Sequence, residues 1–201
     1  MNTRSGITVR YLTVTAMLSA VAFVLQFLEF AVPFMPGFIK LDLSDLPALI
    51  GGFAMGPLCG VLIELIKNIL HMPLSQTGFI GEACNFILGA CYVLPAGLLY
   101  KHHKTKKVAV ESSILGAICM ALLSFPINLW IIYPFYIAVF FGGSTETCVG
   151  MYQTILPSVS ELWQCLLIFN VPFTFVKAMI SVVITLLIYK RISPILKGVR
   201  H

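Results

Sequence analysis

The stretch KLDLSDLPALIGGFAMGPLCGVLIELIKNILHMPLSQTGFIGEACN, residues 40–85, decides how the chain is read. It is apolar overall and broken by Gly51-Gly52 and Gly56-Pro57, yet it carries Lys40, Asp42, Asp45, Glu64, Lys67, His71 and Glu82. A charge at the centre of a membrane helix costs about 2.5 to 3.5 kcal/mol on insertion scales, so each of these residues calls for a partner, a water-filled cavity or a function.

The rest of the chain has the same character. Of 201 residues, 59% are hydrophobic and 10% charged, whereas a soluble domain carries about 25% charged residues. The sequence therefore reads as an all-α polytopic membrane protein. At about 20 apolar residues per span, its length allows one integral domain, residues 1–201, and leaves no room for a soluble catalytic one.

Basic residues fall in three clusters: Arg4 and Arg10; Lys101 to Lys107, with His102, His103, Lys104 and Lys106; and Lys190, Arg191, Lys197 and Arg200. Loops rich in Lys and Arg stay in the cytoplasm, which predicts cytoplasmic N- and C-termini and an even number of passes between clusters. No cleavable signal is expected, because the first apolar run is too long for one.

Six transmembrane helical segments are predicted, one of them short and Gly/Pro-interrupted. The first covers 11–32 and is ended by Pro33, Pro36 and Gly37, and an outer loop follows to Leu43. Thr13, Ala16 and Ala20, with Ser19 beside them, give it a face of small residues suited to close helix approach, either within this chain or with a partner. The second, 45–53, starts at Ser44 or Asp45 as N-cap. It is too short to cross a core of about 30 Å alone. Gly51, Gly52, Gly56 and Pro57 reverse the chain, and 58–71 returns. Irregular backbone at that depth is tolerated only inside protein or against a cavity. The spacing of Gly52, Gly56 and Gly60 also fits a helix-pairing motif, but Pro57 favours the turn. Residues 72–81 form a second outer loop, and 82–100 leads back to the basic loop. The run 108–141 is too long for one span, so Pro126 and Pro134 are expected to kink or end it, its outer third folding over the outer face. Residues 142–160 form a third outer loop, and 161–189 is the last span.

Absent motifs exclude several functions. There is no G-x-x-x-x-G-K-[ST] phosphate loop, no H-E-x-x-H zinc motif and no G-x-S-x-G nucleophile elbow. Five of the six cysteines lie singly in apolar segments, Cys148 falls in the third outer loop, and no C-x-x-C occurs. No metal or redox site is expected, and no enzyme activity. An intramembrane enzyme, the alternative from another class, would need a nucleophile or metal set near the polar residues.

Polar side chains remain near the outer helix ends: Lys67 and Asn68, Glu82 and Asn85, Asn128 and Lys177. Phe79, Phe86, Phe125, Trp130, Tyr133, Phe169, Phe173 and Phe175 surround them, an aromatic setting with a few convergent hydrogen-bonding groups, as in small-molecule sites. Glu64, Lys67 and Glu82 are equally open to mutual ion pairing that only joins helices. Asn128 and Lys177 show no local partner.

The runs LDLSDLPALIGGFAMGPLCGVLIELIKN, GFIGEACNFILGA, FPINLWIIYPFY and NVPFTFVKAMIS resemble the riboflavin-specific substrate-binding (S) components, RibU type, of energy-coupling factor (ECF) vitamin transporters. The resemblance extends over nearly the whole chain. It implies high-affinity capture of riboflavin from outside, with riboflavin as transported ligand and no cofactor. The implied partners are an ECF transmembrane coupling protein, met through Ala16 and Ala20, and two cytoplasmic ATPases. The setting is the bacterial cell membrane, and no nucleic acid is expected. Another vitamin-type S component is the alternative within the class. Carried over by position, Asn128 and Lys177 hold the polar edge of the isoalloxazine ring, while Leu41, Asp42, Gly81, Glu82 and Asn85 meet the ribityl chain and close over the ligand.

Overall fold

A computed structural model describes residues 9–37, 39–75 and 78–197, with side chains to residue 188. Nine α-helices and one two-stranded antiparallel sheet are present among the described residues. Five helical runs are long and apolar enough to cross a membrane: Val9–Phe27, Pro57–Leu74, Ile80–His102, Lys106–Phe140 and Leu162–Ile188. A sixth apolar helix, Asp45–Met55, is shorter. Large side chains such as Met17, Leu58, Leu122, Trp130 and Leu187 point outward, as on a surface that faces lipid rather than water.

Helix α1 (Val9–Phe27) stops five residues before the predicted end of the first span. The chain then forms β1 (Phe30–Ala31), which pairs with β2 (Lys40–Leu41) in the register Phe30 to Leu41 and Ala31 to Lys40. An ion pair between Glu29 and Lys40 closes the same hairpin. Residues 30–31 thus leave the span because their backbone is paired in extended form.

Helix α2 (Asp45–Met55) is a core element, buried at every position from Asp45 to Phe53. It ends at Gly56, whose φ of +109° is a left-handed conformation that side chains resist, and Pro57 opens α3 (Pro57–His71). This is the expected turn. Small residues let the elements close up: a Cβ on Gly60 would come within 2.7 Å of the Ala48 carbonyl oxygen, and one on Gly116 within 2.5 Å of that of Tyr92. The 3-10 turn Met72–Leu74 leads toward α4 (Ile80–His102), and α5 (Lys106–Ile127) packs against α4.

Neither Pro126 nor Pro134 ends the next helix. The run stays helical from Lys106 to Phe140 by way of a π-turn at Asn128–Ile132, followed by α6 (Tyr133–Phe140). The Tyr133 N–H bonds to the carbonyl of Asn128, five residues back, and the following residue is Pro134. The same device recurs after the short α8 (Leu162–Cys165): in the π-turn Leu166–Asn170, the Val171 N–H bonds to the Leu166 carbonyl, directly before Pro172 in α9 (Val171–Lys197). A proline lacks an N–H and its ring clashes with the carbonyl four residues back, so a wider turn beforehand lets the helix continue.

The segment 142–160, expected as the third outer loop, is not simply a loop. It contains α7 (Thr145–Gln153), capped by Ser144 Oγ, which accepts the Thr147 N–H at 3.2 Å. Cys148, Val149 and Tyr152 bury one face of α7 in an outer core with Ile132, Ile137, Cys165 and Leu166. A separate inner core is built from Ala22, Leu49, Phe53, Ile63, Tyr92 and Met120.

Candidate ligand site

The site is built where the end of the hairpin enters α2. Asp42 Oδ1 accepts the Ser44 N–H at 2.8 Å, turning the chain into the helix. Its other oxygen, Oδ2, accepts from Lys177 Nζ of α9 at 2.9 Å. Burial raises the pKa of Asp42, but the ammonium groups of Lys177 and Lys67 and the bond from Ser44 outweigh it and hold the carboxyl well below the usual carboxylate range.

One step further in, Lys67 of α3 is fully buried and three oxygens surround it. Its ammonium donates to Ser44 Oγ and to Asp45 Oδ1, both at 2.7 Å, and stands 2.8 Å from Glu64 Oε2. The Glu64 contact is an ion pair without hydrogen-bond alignment, and Glu64 Oε1 has no hydrogen-bond partner. Lys177 also lies 3.5 Å from Asp45 Oδ2. Two cations and three carboxylates from α2, α3, α9 and the preceding segment thus form one buried network. Paired charges at this depth offset a desolvation penalty of several kcal/mol per ion only while the pairing stays complete.

Asn68 continues the network along α3, donating to the Glu64 carbonyl at 2.8 Å and accepting from Gln26 of α1 at 3.4 Å. The expected trio of Glu64, Lys67 and Glu82 is only partly formed. Glu64 and Lys67 pair, while Glu82 at the start of α4 bonds His71 Nδ1 at 2.9 Å and Ser75 Oγ at 2.7 Å. Gly81 and Asn85 flank Glu82 and are half-buried, and Leu41 is half-buried in β2.

Asn128 is buried at the first position of its π-turn, and its Oδ1 accepts from Cys84 Sγ of α4 at 3.7 Å. Asn128 and Lys177, which show no local partner in the sequence, each find one from a distant element, but no hydrogen bond joins the two. Cys84 belongs to α4 and Asp42 to the segment before α2, and no sequence spacing reveals either partner.

The sequence reading missed a second polar cluster. Tyr133 and Tyr152 share a hydroxyl contact of 2.5 Å, Tyr152 donates to Asn170 Oδ1 at 2.9 Å, and Asn170 Nδ2 donates to Tyr133 at 2.8 Å. It ties α7 to both π-turn helices. Its only sequence signal is Asn170 ahead of Pro172. A surface cavity of about 510 Å³ beside α7, lined by Thr145, Glu146, Gln153 and Glu161 among others, includes none of the candidate site residues.

Chemically, the arrangement offers donors. A Lys ammonium has three N–H groups, of which Asp42 takes one, and among the described residues no hydrogen bond engages the Asn128 amide N–H groups. No group of three or more His, Cys, Asp or Glu suited to a metal ion exists among the described residues.

This fold is that of a transporter's substrate-specific subunit. The family described as ECF transporter, substrate-specific component, matches residues 10–189, and the chain belongs to it. It is similar to the riboflavin transporter RibU of Staphylococcus aureus (strain TCH60), with 30% identity over 94% of this chain and 93% of that one. It is also similar to the riboflavin transporter FmnP of Bacillus subtilis (strain 168), with 32% identity over 92% and 93%. A solved structure described as the S component of a bacterial ECF transporter superposes with a TM-score of 0.71 at 29% identity, covering 93% of this chain and 97% of its own. The family consists of transporter components, so the chain is not an enzyme.

Proposed function

We propose that this chain captures riboflavin on the outer side of the bacterial cell membrane and serves as the substrate-binding subunit for its uptake. The observation that carries this reading is that relatives 30% and 32% identical over nine-tenths of the chain are riboflavin transporters. The polar groups suit the ligand. The ring edge of a flavin presents carbonyl, N–H, carbonyl; the Asn128 amide donates to one carbonyl and accepts the N–H, while Lys177 donates to the other carbonyl. Glu82, Asn85, Gly81 and Leu41 meet the ribityl end, with Lys67 and Asn68 beneath.

Six membrane segments, α2 included, leave both termini in the cytoplasm with the basic loop at residues 101–107, in keeping with the placement of Lys and Arg. Ala16 and Ala20 are exposed on α1, whereas the neighbouring Ser19 is buried inside the protein. The outward small-residue face is where the ECF transmembrane coupling protein docks, with two cytoplasmic ATPases supplying energy. Purification without added ligand, followed by an absorption spectrum, tests the ligand assignment. A yellow, flavin-type spectrum that a riboflavin titration saturates is expected; no binding of riboflavin by folded protein overturns it.

A further inference from the structure

Asp45 is fully buried in the first turn of α2, and its two oxygens face different lysines. Oδ1 is 2.7 Å from Lys67 Nζ, and Oδ2 is 3.5 Å from Lys177 Nζ. Oδ2 accepts no hydrogen bond and is closed off from solvent. A carboxylate oxygen in that condition is costly, and neutralising Lys67 does not account for it, since Glu64 already stands 2.8 Å from the same ammonium. What Oδ2 faces is Lys177.

Asp42, the nearer anion to Lys177, lies outside any helix, whereas Asp45 belongs to a helix buried on all sides. An ammonium paired with one anion turns freely about its last bond; a second, fixed anion limits that rotation and directs the remaining N–H. At 3.5 Å the second contact acts through charge rather than as an aligned hydrogen bond, and in a dry site charge acts strongly.

We propose that Asp45 is a positioning residue for Lys177. Its carboxylate spans the two lysines, locks the α9 ammonium against the rigid α2–α3 unit, and leaves one N–H aimed at the acceptor of the bound ligand. This rests on reading Lys177 as a donor to the flavin ring edge.

A double-mutant cycle in purified full-length protein tests it, with Asp45→Asn and Lys177→Met combined and riboflavin and lumichrome Kd read by fluorescence up to the solubility limit. Residues in direct contact couple measurably, whereas independent structural effects add. With Lys177 present, Asp45→Asn should weaken both flavins by about tenfold; with Met at position 177 the same change should matter less than twofold. Equal weakening in both backgrounds, or no weakening with Lys177 present, overturns the positioning role. If Lys177→Met alone binds as wild type does, the ligand-donor reading fails and the positioning role falls with it, a result distinct from the other two. If Asp45→Asn is not recovered as monodisperse protein, Asp45→Glu, which keeps the negative charge but displaces it, takes its place in the cycle, and the same outcomes apply.

Discussion

Lys177 and Asp42 meet at 2.9 Å across 135 residues of sequence, joining the last long helix to the segment that leads from the hairpin into α2. This pair changes what Asp42 does. Its carboxylate is engaged with the lysine assigned to the ring edge, so its influence on binding is not confined to the ribityl chain. Asp42→Asn should weaken riboflavin and lumichrome alike, by roughly ten- to hundred-fold for a lost hydrogen bond between charged groups. Titrating both flavins against the variant checks this; a loss restricted to riboflavin would return Asp42 to the ribityl end.

Lys67 is the cation on which the buried network closes. Lys67→Met leaves Asp45 and Glu64 as adjacent buried carboxylates without their shared counter-charge, and breaking a buried pair in this way costs about 3 to 5 kcal/mol. Thermal unfolding in detergent should show a marked fall in Tm or a failure to accumulate in the membrane. Wild-type stability would mean that the network contributes little to the fold.

Much of this architecture is legible in the sequence because apolar run lengths and Gly-Pro signals are local. The turn between α2 and α3 follows from Gly56 and Pro57, and the short length of α2 follows from the glycines around it. Pro134 misleads for a physical reason: a π-turn before it absorbs the missing hydrogen bond, so it does not end its helix. The hairpin is hidden because two paired residues on each side leave no alternation to detect. Residue types in the site, a lysine here and a carboxylate there, are visible as expensive charges. Their pairing is not, because Lys177 finds Asp42 and Asp45, and Glu82 finds His71, only through the packing of separate helices.

Cys148 shows the same limit. It lies in the segment expected as the third outer loop but is fully buried on the packed face of α7, and burial together with neighbouring Cys165 pushes its thiol up to about 11. An impermeant maleimide should leave it unlabelled in intact cells, since the thiolate is the reactive form. Sidedness is better read from exposed Thr147. In a cysteine-free background, Thr147→Cys should label from outside and Lys104→Cys only after the membrane is opened; the reverse pattern contradicts the topology.

Ala16 and Ala20 lie on the outward face of α1, far in sequence from the polar network. Ala16→Trp and Ala20→Trp should leave riboflavin binding by the purified protein within about twofold, yet abolish uptake in cells by blocking close helix approach. Wild-type uptake by both variants would remove this face from the partner interface.

The central claim is that Asn128 and Lys177 read the polar edge of a flavin ring, and the most direct measurement is riboflavin binding by Asn128→Ala and Lys177→Ala, followed by fluorescence quenching with folding checked by gel filtration. An unmet hydrogen bond in a water-poor site costs about 1 to 3 kcal/mol, more when the donor is charged. Asn128→Ala should therefore weaken binding by roughly five- to hundred-fold and Lys177→Ala by at least as much, with lumichrome equally sensitive because it keeps the same ring edge. Two folded variants that bind riboflavin within twofold of wild type would contradict the account.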